Sequence, residues 1–175
     1  AVRNLGGLQL LDVYRSFDSL SSPRWTFLGT STIGAMTGLA SDVDYLTRVL
    51  QKQVEEHRKI YDGRDIHQTQ NVKTFQLVKV LSERLQDACQ YQSGRPYGIQ
   101  AMLIGQDDTA LNIFTVDPSG GYRHWARGAA IGSLAAPIRK ELHQCLRETK
   151  KDNDALSALQ VALRCAFKAG MQEAS

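Results

Sequence analysis

The feature that most constrains the fold is the order in which hydrophobic periodicity changes along the chain. Val43, Leu46, Leu50 and Val54 recur every three or four residues, and so do Val72, Phe75, Val78, Leu81 and Leu85. Both runs predict amphipathic helices, over about residues 42–61 and 71–90. Ser41 followed by Asp44 gives the first helix a start resembling a capping box, and Gly63 gives it an end.

On either side of this helix pair the pattern is that of strands. Residues 24–39 are rich in β-formers and small residues, with Trp25, Phe27 and Ile33 as apolar anchors, and predict one or two strands. After the second helix, an apolar run from Ile99 to Gly105 and another from Leu111 to Val116 flank the turn formers Gln106-Asp107-Asp108, which predicts a hairpin. Asp117-Pro118-Ser119-Gly120-Gly121 is a strong turn signal, because proline presets one turn torsion and glycine supplies a positive one. A third strand is predicted over 122–131. Beyond Gly132-Ser133, Ile138, Leu142 and Leu146 mark one helix, and Leu156, Leu159, Leu163 and Phe167 mark another behind an Asn153 cap. Strands, helix pair, strands, helix pair is not the strict alternation of a doubly wound parallel sheet, so the fold class is a layered α+β architecture. The first 23 residues, with turn formers at Gly6-Gly7 and from Ser19 to Pro23 around the apolar Leu8 to Leu11, carry the least legible pattern.

With 175 residues, no internal repeat and no low-complexity linker, one domain over 1–175 is expected, large enough to bury a core without metal or disulfide support. Hydrophobic residues make up 42% and charged residues 22%, which excludes a disordered or fibrous chain. The net charge of +3 is spread along the sequence rather than clustered, so no nucleic-acid partner is expected. No apolar run is long enough to cross a bilayer, and the start lacks the basic-then-apolar order of a signal peptide; no membrane partner is expected either. Cys89, Cys145 and Cys165 are odd in number, widely spaced and placed in predicted helices, where they read as reduced thiols behaving as small buried hydrophobes, weighed against a bridge or redox site.

The residue types that carry chemistry are sparsely arranged. No cysteine pair has zinc spacing, and His57, His67, His124 and His143 never recur at the separation that sets two ligands on one helix face. No metal or cofactor is expected. Gly6-Gly7 lacks the lysine-serine pair of a phosphate loop, and no Gly-x-Ser-x-Gly elbow occurs. Asp107-Asp108 and Glu55-Glu56 are adjacent carboxylates whose side chains point in different directions, which suits solvated charge better than acid/base partnership. His124 beside Trp125 is the remaining candidate base, weighed against an ordinary strand histidine.

Three glycine-bearing segments are more informative: Arg95-Pro96-Tyr97-Gly98 entering a strand, Asp117-Pro118-Ser119-Gly120 after the next, and Ala130-Ile131-Gly132 before a helix. Each reads alone as a structural turn or close-packing site. Their order and spacing, with Thr37-Gly38-Leu39-Ala40-Ser41-Asp42 upstream and Gln90-Tyr91-Gln92 before the Arg-Pro turn, resemble the central block of proteasome α subunits. The resemblance covers roughly Ser22 to Ala169; residues 1–21 do not match it, and the family's amino-terminal helix with its gate segment and its further strands beyond Ser175 have no counterpart in the sequence.

The resemblance implies a four-layer αββα sandwich of the N-terminal nucleophile hydrolase type, expected here to be incomplete. It also implies a non-catalytic structural subunit of the 20S core that forms the outer ring with other α and β subunits, docks regulatory-particle ATPases or activators, and works in cytoplasm and nucleus. Catalysis in that family belongs to β subunits, whose mature amino-terminal threonine is both nucleophile and base; this sequence begins with Ala1, and no catalytic residue is expected. By the same resemblance Arg24, Gly38 and Leu39 are expected to line a pocket for a regulator's carboxyl terminus, arginine standing where the family often has lysine. The alternatives are a β-type or related threonine hydrolase whose catalytic amino terminus lies outside the sequence, and an unrelated small α+β binding module. Sheet edges and apolar ring surfaces would make the isolated chain self-associate.

Overall fold

The structure is a computed structural model that describes residues 24–29, 31–61, 72–91, 94–107, 110–148 and 155–173. The chain forms two compact units, one over 24–132 and another that includes 133–175. Gly6-Gly7, Leu8 to Leu11, Gly63, His67, Asn71, Gln92, Asp108 and Asn153, used in the sequence reading, lie outside the described residues.

The first unit is an α+β layer pair. Five strands, β1 (Trp25–Leu28), β2 (Thr32–Gly38), β3 (Ile99–Asp107), β4 (Ala110–Val116) and β5 (Tyr122–Trp125), form one sheet in sequential order, every neighbour antiparallel. Between β2 and β3 the chain makes α1 (Ala40–Tyr61) and α2 (Thr74–Gln90), which pack on each other and on the sheet. The register Gly34↔Leu103↔Phe114 places these residues on one face, and alternation adds Leu28, Met36, Ala101 and Val116 to it. These side chains and the helix residues Val43, Leu46, Leu50, Leu77, Val78, Leu81 and Leu85 make one buried cluster. Each fully buried leucine contributes about 1.5–3 kcal/mol. The other face carries Ile33, Met102, Ile104 and Ile113, half-buried. Apolar residues on both faces are the pattern of a sheet inside a layered sandwich, as the element order predicted.

The second unit contains α3 (Ala135–Glu148) and α4 (Ala155–Glu173), packed on each other. Lys168 Nζ meets Glu141 Oε2 at 2.7 Å across the pair.

Three expectations are corrected: the Ser41 cap, the length of β5 and the burial of Cys89. Helix α1 begins at Ala40, and Leu39 O accepts from Asp42 N and Val43 N at 3.0 Å, so Ser41 lies in the first turn and is not its cap. Strand β5 ends at Trp125 instead of running to Ile131, because Gly128, Ala129 and Ala130 are poor strand formers. Phe75 is 39% exposed although it keeps the helical spacing, since it turns toward Phe114 and Tyr122 at the rim of the sheet. Cys89 is exposed, and Leu159, Leu163 and Phe167 of α4 are 49%, 50% and 71% exposed. Helical spacing gives a common face and says nothing of what covers it.

Candidate functional site

The glycine segments singled out in the sequence converge on one end of the sheet. β2 leaves the sheet at Gly38 with φ +130°, a conformation that L side chains rarely adopt. A Cβ there would run into Gly98 O and sit 2.9 Å from Ile99 Cα, so the close approach of β2 to the start of β3 requires glycine. Leu39 N donates to Gly98 O at 3.0 Å, and α1 starts one residue later.

The first turn of α1 projects Asp42 at the same place. Arg95 grips its carboxylate with two prongs, NH2 to Oδ1 at 2.6 Å and NH1 to Oδ2 at 2.8 Å, and Gly98 N donates to Oδ2 at 3.0 Å. Arg95 NH1 also donates to Pro96 O at 3.1 Å, which folds the Arg-Pro turn around its own side chain. Asp42 is buried, and a carboxylate in the first helical turn faces the positive end of the helix dipole. The Arg95 guanidinium holds the Asp42 carboxyl below its ordinary value, outweighing the opposing effect of burial, with the Gly98 N–H adding to the depression. The same pairing pushes Arg95 further up. Tyr97 stacks on Tyr45 of α1 with centroids 5.8 Å apart and planes 14° from parallel, and packs against the core. Burial, with Tyr45 beside it, pushes the Tyr97 phenol up, so it is a neutral hydrogen-bonding group.

The turn after β4 is locked onto α2. Gly120 N donates to Asp117 O at 2.9 Å, and Asp117 N donates to Gly121 O at 2.8 Å. Gly120 is buried with φ +86°, where a Cβ would lie 2.7 Å from Ser82 O and 2.9 Å from Gln86 N. Ser82 Oγ donates to Gly120 O, and Cys89 Sγ donates to Pro118 O at 3.5 Å. Ser119 and Pro118 are exposed. Gly132, with φ +100°, is tied in by Gln100: its N donates to Gln100 Oε1 at 3.0 Å, while Gln100 Nε2 donates to Asp117 Oδ1 at 3.2 Å. Gln100 therefore joins the second and third segments from a position next to the first. In the sequence Gln100 is one polar residue in an apolar run, with no local pattern that marks this role.

Arg24, Gly38 and Leu39 share this end of the sheet. Met36 N donates to Arg24 O at 2.7 Å, which sets Arg24 beside the last residues of β2, and Leu39 is 51% exposed. All three are exposed.

The candidate acid/base residues have structural partners. Asp107 Oδ1 accepts from Thr74 N at 2.8 Å and Thr74 Oγ1 at 2.9 Å, capping α2, and its Oδ2 accepts from Asn112 at 3.3 Å. Thr74 Oγ1 lies 3.1 Å from Thr32 Oγ1, and the absent side chain of Gly105 leaves room for both hydroxyls. No periodic signal marks this cluster in the sequence, although Asp107 and Thr74 are both ordinary capping types. The ring of His124 lies 4.8 Å from that of Phe114 on the exposed rim. Glu56 pairs with Lys52 at 3.7 Å on the exposed face of α1. Among the described residues, no group of three or more histidine, cysteine, aspartate or glutamate side chains could hold a metal ion, and no helix is long and apolar enough to cross a membrane.

A family model described as "Proteasome subunit" matches residues 19–174. The chain is 26% identical over 140 residues to proteasome subunit alpha type-2-A of Arabidopsis thaliana, covering 79% of this chain and 56% of that protein. It is 25% identical over 145 residues to proteasome subunit alpha type-2 of Dictyostelium discoideum, covering 82% and 59%. Against proteasome subunit alpha type-8 of Mus musculus it is 26% identical over 136 residues, covering 77% and 49%. The chain thus spans about half the length of the curated relatives it matches.

Proposed function

The chain belongs to the proteasome subunit family, and on that premise we propose that it is an α-type, structural subunit of the 20S core. In this reading it forms the outer ring with other α subunits, contacts β subunits, and contributes to regulator docking and substrate entry during protein degradation. The observation that carries the reading is that the relatives matched over most of the chain are named alpha-type subunits. The family match also runs across both compact units, which supports their belonging to one proteasome-type domain.

The subunit is non-catalytic in this proposal. Its polar clusters have structural work: Asp42 is neutralised by Arg95, and Asp107 and Thr74 cap α2. Regulator docking falls to Arg24, Gly38 and Leu39, which lie exposed at one end of the sheet. A planar guanidinium there can take a peptide's terminal carboxylate with two hydrogen bonds. The working compartment in this reading is cytoplasm and nucleus, with no nucleic-acid or membrane partner.

Affinity purification of the tagged chain from its native cells, followed by mass spectrometry, tests the assembly. Recovery of other α and β subunits in near-equal amounts supports the reading. Recovery of the chain alone, or with unrelated proteins, sinks it.

A further inference from the structure

Two of the three cysteines, far apart in sequence, meet in the second unit. Cys145 of α3 and Cys165 of α4 are 20 residues apart, and the Cys165 thiol is directed at the Cys145 sulfur, 3.8 Å away. The register of the helix pair is fixed at that level by a second contact one turn along: Glu141 Oε2 holds Lys168 Nζ at 2.7 Å, four residues before Cys145 on one helix and three after Cys165 on the other. The two sulfurs are therefore held face to face by an antiparallel pair with a defined register. Cys165 is buried, at 1% exposure, and Cys145 is half-buried, so Cys145 is the more exposed member of the pair. Cys89, the third thiol, is exposed and engages Pro118 O in the other unit.

We propose that Cys145 and Cys165 are a redox dithiol, a modification site at which a peroxide drives formation of an intramolecular disulfide between α3 and α4. Peroxide oxygen is attacked by the more accessible Cys145 sulfur, giving a sulfenic acid and releasing one water after proton transfer. The Cys165 sulfur then attacks that sulfur, and the second oxygen leaves as water. The dithiol loses two electrons and two protons, and the peroxide is reduced to two waters. A disulfide needs the sulfurs at about 2.05 Å, so they must approach by roughly 1.8 Å from their 3.8 Å separation. The bridge closes the connection between the helices covalently, beside the Glu141–Lys168 ion pair, and reduction by a dithiol reverses it.

The test uses the full chain, purified reduced and exposed to increasing hydrogen peroxide. Remaining thiols are then alkylated under denaturing conditions, and the protein is digested with trypsin for mass spectrometry. The expected product is peptide 141–147 joined to peptide 165–168, two hydrogens lighter than their sum, accumulating while Cys89 is still alkylated and vanishing after dithiothreitol. A Cys145→Ser chain should give no such product, and the thermal midpoint of the wild-type chain should rise on oxidation while that of the variant does not. Oxidation of Cys89 while peptides 141–147 and 165–168 both remain alkylated would overturn the proposal. So would conversion of Cys145 to sulfinic acid with Cys165 still alkylated.

Discussion

Arg95 and Asp42, 53 residues apart in the chain, meet in a two-pronged ion pair that fastens the start of α1 to the turn before β3. The carboxylate also accepts from Gly98 N at 3.0 Å, so a single aspartate holds a helix start, a turn and a strand entry. Sequence pattern marked both partners within separate segments without pairing them.

The pair has a pH signature with a defined sign. Because the folded-state pKa of Asp42 lies below its ordinary value of 3.8, the unfolded chain binds the proton more readily at acid pH. The stabilisation is therefore complete above about pH 5 and is lost as the pH falls through the folded-state value. Urea midpoints at pH 7 and pH 3 should show a larger acid-induced drop for the wild-type chain than for Asp42→Asn. Arg95 is 60% exposed, so added salt should narrow the difference. An equal drop in both chains would remove Asp42 from this role.

Gly38→Ala and Gly120→Ala should each destabilise the chain by about 2 kcal/mol or more, since both positions combine positive φ with backbone atoms where a Cβ would go. Gly94→Ala, at an exposed position with open space around it, is the control and should change little. Chemical denaturation of the three variants decides this, and a harmless Gly38→Ala would show that the approach of β2 to Gly98 is looser than described.

Gln100→Ala removes the acceptor of Gly132 N and the donor to Asp117 together. A loss of about 1 kcal/mol is expected for such a hydrogen-bonded pair. Hydrogen exchange should accelerate at Gly132 while the core amides of Leu81 and Leu103 keep their protection. Uniform acceleration across the chain would mean that Gln100 does not act locally.

Arg24→Ala should leave the unfolding midpoint close to wild type, because the side chain is exposed and only its backbone carbonyl is used by β2. In an assembled ring, binding of an activator's carboxyl-terminal peptide should weaken by roughly tenfold, the value of one charge-assisted hydrogen-bonded pair. Unchanged binding would assign docking to other residues.

The helix pair was legible in the sequence because Val43, Leu46, Leu50, Val78, Leu81 and Leu85 follow the period of the surface they bury. The antiparallel strands were legible from their turn formers. What escaped depends on partners distant in sequence: Asp42 with Arg95, Gln100 with Gly132, Thr74 with Asp107, Cys145 with Cys165. Nothing in the local pattern of either member encodes such a meeting. Strand β5 stops at Trp125, short of the predicted 122–131, because the small residues Gly128, Ala129 and Ala130 that follow are poor strand formers. The residues proposed for docking carry no local signal of their own, as Arg24 looks like any surface arginine.

The most direct test of the central claim is to purify particles through the tagged chain and treat them with a covalent probe directed at catalytic threonines. The particles should show peptidase activity, abolished by the probe, with the label on other subunits and none on this chain. Label on this chain would make it a catalytic subunit, and particles without activity or β subunits would contradict its place in a proteasome core.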